Sequence, residues 1–160
     1  MKIRTGIGYD IHKLKPNIPL WIGGINIPFT KGLAGHSDGD VLIHAIVDAI
    51  LGAAGLGDIG QLFPSSDPRF KDIASTKFLK ETSKIIREHL WNLSNLDATI
   101  ICEQPRLTDS APGMVRAIAN NLGVDKSLIN VKSTTADKLG HIGQGDAIAA
   151  LAIATLEERK

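Results

Sequence analysis

Residues 40–51, DVLIHAIVDAIL, hold nine apolar positions and three polar ones, Asp40, His44 and Asp48, that recur at four-residue intervals. At 3.6 residues per turn that interval keeps the three polar groups on one helical stripe. A helix that is apolar around most of its circumference is a buried helix, so this segment must lie at the centre of a layered fold. A buried carboxylate or imidazole without a partner costs several kcal/mol. The stripe is therefore expected to face a ligand, a metal or a polar cavity, although buried polar groups are often simply hydrogen-bonded. Ser37 and Asp38 are candidate caps, and Gly52 and Gly55 stand near the end, which predicts a helix over 38–54.

Before this helix, residues 2–12 (KIRTGIGYDIH) alternate as an extended strand. Ile3, Thr5, Ile7, Tyr9 and Ile11 share one face, and Arg4, Gly6, Gly8, Asp10 and His12 the other, which the two glycines leave open. Residues 20–29 predict a hairpin turning at Gly23 and Gly24, followed by a loop over 31–37. Beyond the helix come a Gly/Pro/Asp-rich loop (57–72), an amphipathic helix (75–90) with His89 on its solvated side, and a strand (97–103). A helix (111–122), a strand (129–134) and an Ala-rich closing helix (146–157) complete the reading. The order implies an α+β class, a mixed β-sheet covered on one face by helices.

Composition bounds the function. The 160 residues, 43% hydrophobic, suit a single domain over 1–160. Eighteen basic against seventeen acidic residues give a net charge of +1, which leaves no broad electrostatic footprint for nucleic acid or an anionic membrane. No apolar run approaches the roughly 20 residues of a bilayer span. Cys102 is the one cysteine and reads as a packed thiol in a reducing compartment; with no targeting segment ahead of the first strand, a bacterial cytoplasm is expected.

Asp10 and His12, two apart on a strand, project to the same side and can chelate one ion. With His44 from the helix, the set is one oxygen and two nitrogens, leaving a tetrahedral position free as in catalytic zinc sites. Asp40 and Asp48 are then read as carboxylates that accept a ligating imidazole's other N–H or face the substrate. Unrelated strand and helix features would produce the same spacing.

The segments GYDIH (8–12), HSDGDVLIHAIVDAILGAAGLGDIGQLFP (36–64) and VKSTTADKLG (131–140) resemble the 2-C-methyl-D-erythritol 2,4-cyclodiphosphate synthase family, and the resemblance spans nearly the whole chain. By contrast Gly6-Ile7-Gly8 lacks the third glycine of a dinucleotide fingerprint, since Ile11 stands there. The resemblance implies that Asp10, His12 and His44 hold a divalent cation, usually zinc, and that His36 and Ser37 contact substrate phosphate. It implies that Asp48, Asp58, Ile59, Gly60, Phe63, Pro64, Ser65, Ser66 and Asp67 surround the methylerythritol unit; by residue type alone several of these are turns and caps. Cys102, Glu103, Gln104, Pro105, Arg106, Leu107 and Thr108 align with the segment around the cytosine, recognised largely through backbone, and Thr134 and Thr135 with hydroxyl donors to the diphosphate. Asp137 stands where the family usually has a Glu for a second cation, magnesium or manganese, and is one methylene shorter.

The implied reaction converts 4-diphosphocytidyl-2-C-methyl-D-erythritol 2-phosphate to the 2,4-cyclodiphosphate and CMP, a metal-dependent cyclising phosphorus–oxygen lyase step in non-mevalonate isoprenoid synthesis. His36 and Thr135 would support the charge that develops. The family also implies a homotrimer, with sheets around an axis and active sites between subunits. Around its central cavity the family often has Phe, Arg and Glu where this chain has His141, Gln144 and Asp146, a departure at the place where the family would take an isoprenoid diphosphate, and His141 is read as a surface residue. Two rivals share these features: a metal-dependent phosphohydrolase using the open site to activate water, and a non-catalytic trimeric nucleotide-binding protein.

Overall fold

The structure is a computed structural model that describes residues 2–159. In chain order it contains β1 (Ile3–Pro16), β2 (Leu20–Ile22), β3 (Ile25–Ile27), β4 (Lys31–Leu33), α1 (Val41–Ala54), α2 (Ile59–Leu62), α3 (Thr76–Glu88), β5 (Trp91–Ile101), α4 (Ala111–Leu122), β6 (Ile129–Thr134), α5 (Gly140–Gly143) and β7 (Ala147–Glu158). Five strands form one sheet in the order β4-β1-β7-β5-β6. β5 and β6 run parallel and the other pairs antiparallel, so the sheet is mixed as expected.

The closing segment departs from expectation: Ala147–Glu158 is a central strand, not a helix. Alanine favours helices, but that preference is worth only tenths of a kcal/mol per residue and yields to context. Here β7 pairs along almost its full length with β1 on one side and β5 on the other. Ala150, Ala152 and Ala154 point into the core under α1, while Leu151 and Ile153 emerge on the opposite face. The other boundaries move less. Residues 31–33 pair with β1 as a short edge strand where a loop is read, β1 and β5 are longer than the predicted strands, and the hairpin turns at Gly23 and Gly24 as expected, both at positive φ.

The glycines of β1 also act differently from the sequence reading. A Cβ on Gly6 would lie 2.2 Å from the Ala49 carbonyl oxygen, and one on Gly8 1.9 Å from that of Ala45. The face they clear is filled by the backbone of α1, whose Ala45, Ala49 and Ala53 complete the close contact. This seats α1 on β1 and β7 and brings His44 down to the strand. The helices cover that face only; on the other, Ile7 and Tyr9 are 67% and 55% exposed, with Ile3, Ile11, Leu151 and Ile153 around them. Among the described residues no helix is long and apolar enough to cross a membrane.

Candidate functional site

Asp10 and His12 project from β1 and His44 from α1 toward one point. Asp10 Oδ2 lies 2.7 Å from His12 Nε2 and 3.1 Å from His44 Nδ1, and the two nitrogens are 3.3 Å apart. Among the described residues this is the group of three His, Cys, Asp or Glu side chains close enough to share an ion. A tetrahedral ion with bonds of about 2.05 Å has ligand-to-ligand edges of about 3.3 Å, so the three atoms accept one after the Asp10–His12 edge opens by roughly half an ångström.

Each imidazole is oriented from behind. His12 Nδ1–H donates to the Ala34 carbonyl oxygen at 2.7 Å, which turns Nε2 into the cluster. His44 Nε2 lies 3.0 Å from Ser37 Oγ and 3.1 Å from Ser75 Oγ, leaving Nδ1 to face Asp10. Ser75 in turn donates its hydroxyl and its backbone N–H to Asp38. Burial by itself would raise the Asp10 carboxyl, but hydrogen bonds and charge from His12 and His44 outweigh it and hold Asp10 at about 2. Burial lowers and the Asp10 carboxylate raises His12, with a net upward shift. Asp10 thus stands ionised as a ligand must.

Asp40 is not behind His44. It is the N-cap of α1, fully buried, and its carboxylate accepts from the N–H groups of Ile43, Gly23 and Gly24 at 3.0, 2.9 and 2.7 Å. It ties the helix start to the β2–β3 turn, and burial pushes its carboxyl up against the pull of those bonds. The outer partners of the cluster are instead Ala34, Ser37, Asp38 and Ser75. No local spacing links Ser75 to His44, 31 residues away, so the sequence carries no periodic signal for it.

The cluster forms the floor of a cavity of about 240 Å³ that also reaches His36, Ser37, Asp48, Ile59, Gly60, Phe63 and Ser65. Phe63, Phe70 and Phe78 stack as its apolar wall, with centroids 4.8 to 6.0 Å apart. Asp48 accepts from the Ile59 N–H at 2.7 Å and anchors α2; burial, with neighbouring Asp58 adding to it, raises its carboxyl against that bond. Asp58, Pro64, Ser66 and Asp67 do not line the cavity. Asp58 caps α2, and Asp67 pairs with exposed Arg69.

A second cavity, about 330 Å³, opens where β5 and β6 end side by side. Residues 102–108 form one wall and Ser133, Thr134 and Thr135 the other, with no lining residue shared with the first cavity. Asp137 sits in the turn just beyond, beside Thr135. His141 lies exposed on α5, its Nδ1 3.5 Å from Asp146, and Gln144 caps that helix.

The YgbB family model matches residues 3–157. The chain is 50% identical over 155 residues to the 2-C-methyl-D-erythritol 2,4-cyclodiphosphate synthase of Desulfatibacillum aliphaticivorans, covering 97% of this chain and all of that one. It is 51% identical to the same-named enzyme of Clostridium kluyveri, covering 96% and 94% of the two chains. Among solved structures, the bifunctional IspDF of Campylobacter jejuni superposes with a TM-score of 0.94 at 44% identity, over 98% of this chain and 42% of that longer one. The IspF of Plasmodium falciparum in its CDP complex superposes at 0.87 and 37% identity, over 99% and 97%. This chain belongs to the YgbB family, together with the 2-C-methyl-D-erythritol 2,4-cyclodiphosphate synthases.

Proposed function

We infer that the protein is a 2-C-methyl-D-erythritol 2,4-cyclodiphosphate synthase of the non-mevalonate route, a lyase that closes a cyclic diphosphate and releases CMP. The observation that carries this reading is the convergence of Asp10, His12 and His44 in a chain about half identical, end to end, to enzymes of that name.

In the reaction an oxygen of the substrate's 2-phosphate attacks the β-phosphorus of its cytidine diphosphate arm. One P–O bond forms, the bond from the β-phosphorus to the bridging oxygen breaks, and CMP leaves with that oxygen. The protein contributes no nucleophile; it must align two anionic groups and relieve their repulsion. Asp10, His12 and His44 would hold a divalent cation, zinc by donor type, which neutralises and polarises phosphate when bound. His36 and Ser37, at the rim of the same cavity, are placed to receive phosphate oxygens, and Phe63, Ile59 and Gly60 to receive the carbon skeleton. The second cavity suits cytidine diphosphate; the CDP complex of the Plasmodium falciparum relative supports this. There Thr134 and Thr135 would donate to the diphosphate, and Asp137 would hold a magnesium or manganese ion with it.

The two cavities share no wall, so one substrate would bridge them most simply across a boundary between two copies of the chain. A homotrimer packed through the uncovered sheet face, each copy a single domain over 1–160, supplies that boundary. A bacterial cytoplasm suits a buried free thiol.

Phosphorus NMR of the products tests the reaction. Incubation of the cytidylated substrate with protein, zinc and magnesium should give CMP and a cyclic diphosphate in equal amounts. Linear phosphates would indicate the hydrolase reading, and absence of CMP a binding protein; a fully active monomer by light scattering would remove the shared-site proposal.

A further inference from the structure

Glu103 lies on the wall of the nucleotide cavity, yet its carboxylate points away from a base-reading role. β5 and β6 pair in parallel up to Ile101 and Thr134, and the Cys102 N–H extends the pairing by donating to the Thr134 carbonyl oxygen at 2.9 Å. Glu103 therefore leaves the sheet level with the turn that follows β6. Its Oε1 accepts from the Ala136 N–H at 2.8 Å and the Lys138 N–H at 3.2 Å. No other acceptor among the described residues serves those two groups.

The turn needs such a support. Asp137 and Lys138 are consecutive non-glycine residues at φ of +50° and +62°, in the left-handed region that L-residues rarely occupy in succession. That conformation aims neighbouring backbone N–H groups to one side, forming a concave nest for an anion. Glu103 supplies the anion from within the chain. The turn then sets Thr135, whose hydroxyl donates to Asp137 Oδ1 at 3.5 Å and whose Oγ1 accepts the Asp137 N–H at 3.3 Å.

We propose that Glu103 is a positioning residue, a carboxylate brace that holds the 135–138 turn in its left-handed form and thereby places Thr135 and Asp137 for a nucleoside diphosphate. The brace rests on its own hydrogen bonds; its consequence for ligand binding rests on the nucleotide reading of the cavity. Glutamine at this position presents an amide oxygen to the same two N–H groups, whereas alanine presents nothing.

Amide hydrogen exchange of the full chain, followed residue by residue with and without CDP, tests both parts. In Glu103→Ala the Ala136 and Lys138 amides should exchange at least about tenfold faster while β5 and β7 amides keep their rates, and CDP should bind about tenfold more weakly, as expected for losing two bonds to a charged acceptor. Glu103→Gln should keep both quantities within about threefold of the parent, because a neutral carbonyl retains the geometry at reduced strength. Unchanged exchange at both amides in Glu103→Ala overturns the brace. Protected amides in Glu103→Gln with CDP affinity as poor as in Glu103→Ala would overturn the positioning role in favour of direct contact through charge. Failure of the parent protein to bind CDP would remove the nucleotide reading and leave the exchange arm to decide the brace alone.

Discussion

The Asp10, His12 and His44 cluster and the cavity at the ends of β5 and β6 lie on one sheet but are built in opposite ways. Asp10, His12 and His44 are side chains on a long strand and a buried helix, and each imidazole is turned by a bond on its far side. Their spacing is held by the near contact of the Gly6 and Gly8 backbone with α1. The cavity at the ends of β5 and β6 is walled by the chain that follows β5 and by the last residues of β6, next to a left-handed turn braced by one carboxylate. The contrast teaches that donor atoms needing close mutual placement sit on regular elements, while the proposed nucleotide pocket relies on shaped backbone.

The strongest way to break the comparison is to empty the cluster. His44→Ala should reduce CMP release by at least about 10³-fold, since the charge stabilisation supplied by a bound cation exceeds that of a single hydrogen-bond donor. Zinc content by plasma mass spectrometry should fall with it while the fold persists; full activity without metal would dissolve the cluster's role. A finer cut is Ser75→Ala, which leaves all three ligands and removes a group behind His44. Zinc affinity measured against a competing chelator should drop about 10- to 100-fold, the usual effect of losing an outer partner. The same measurement on Asp40→Ala should show destabilisation to urea with a smaller loss of zinc affinity, because Asp40 bonds the hairpin and not an imidazole. The smallest effect concerns Cys102 on the wall of the second cavity. Burial pushes the Cys102 thiol up to about 12, a backbone hydrogen bond at Gln104 offsetting it only in part. At pH 8 the folded protein should therefore resist iodoacetamide, with labelling appearing only on unfolding; rapid alkylation of the native chain would mean that this wall opens freely.

Much of the cluster was legible because two local rules apply to it. Residues two apart on a strand share a face and residues four apart on a helix share a stripe, so Asp10 with His12, and His44 with Asp48, stand out by spacing. Asp40 fits the same stripe and yet serves another end of the structure, since the first residue of a helix is read by the N–H groups around it and not by the stripe below. The closing strand was illegible for a related reason: AIAALAIATLEE satisfies helical propensity as well as strand alternation, and only its two neighbouring strands choose.

By itself the sequence determined the class of fold, the buried helix, the identity of the three residues able to share a metal ion and the family, all of which follow from periodicity or from long stretches of matching residues. Tertiary structure alone decided that β7 is a strand, that Gly6 and Gly8 receive α1, that Ser37, Asp38 and Ser75 stand behind His44, and that Glu103 reaches the turn after β6. Apart from Ser37, seven residues before His44, those are pairings between residues some 30 or more positions apart in the chain, or contacts made by glycines with no side chain to mark them. No short-range pattern encodes such pairings, because they exist only once packing has brought the elements together.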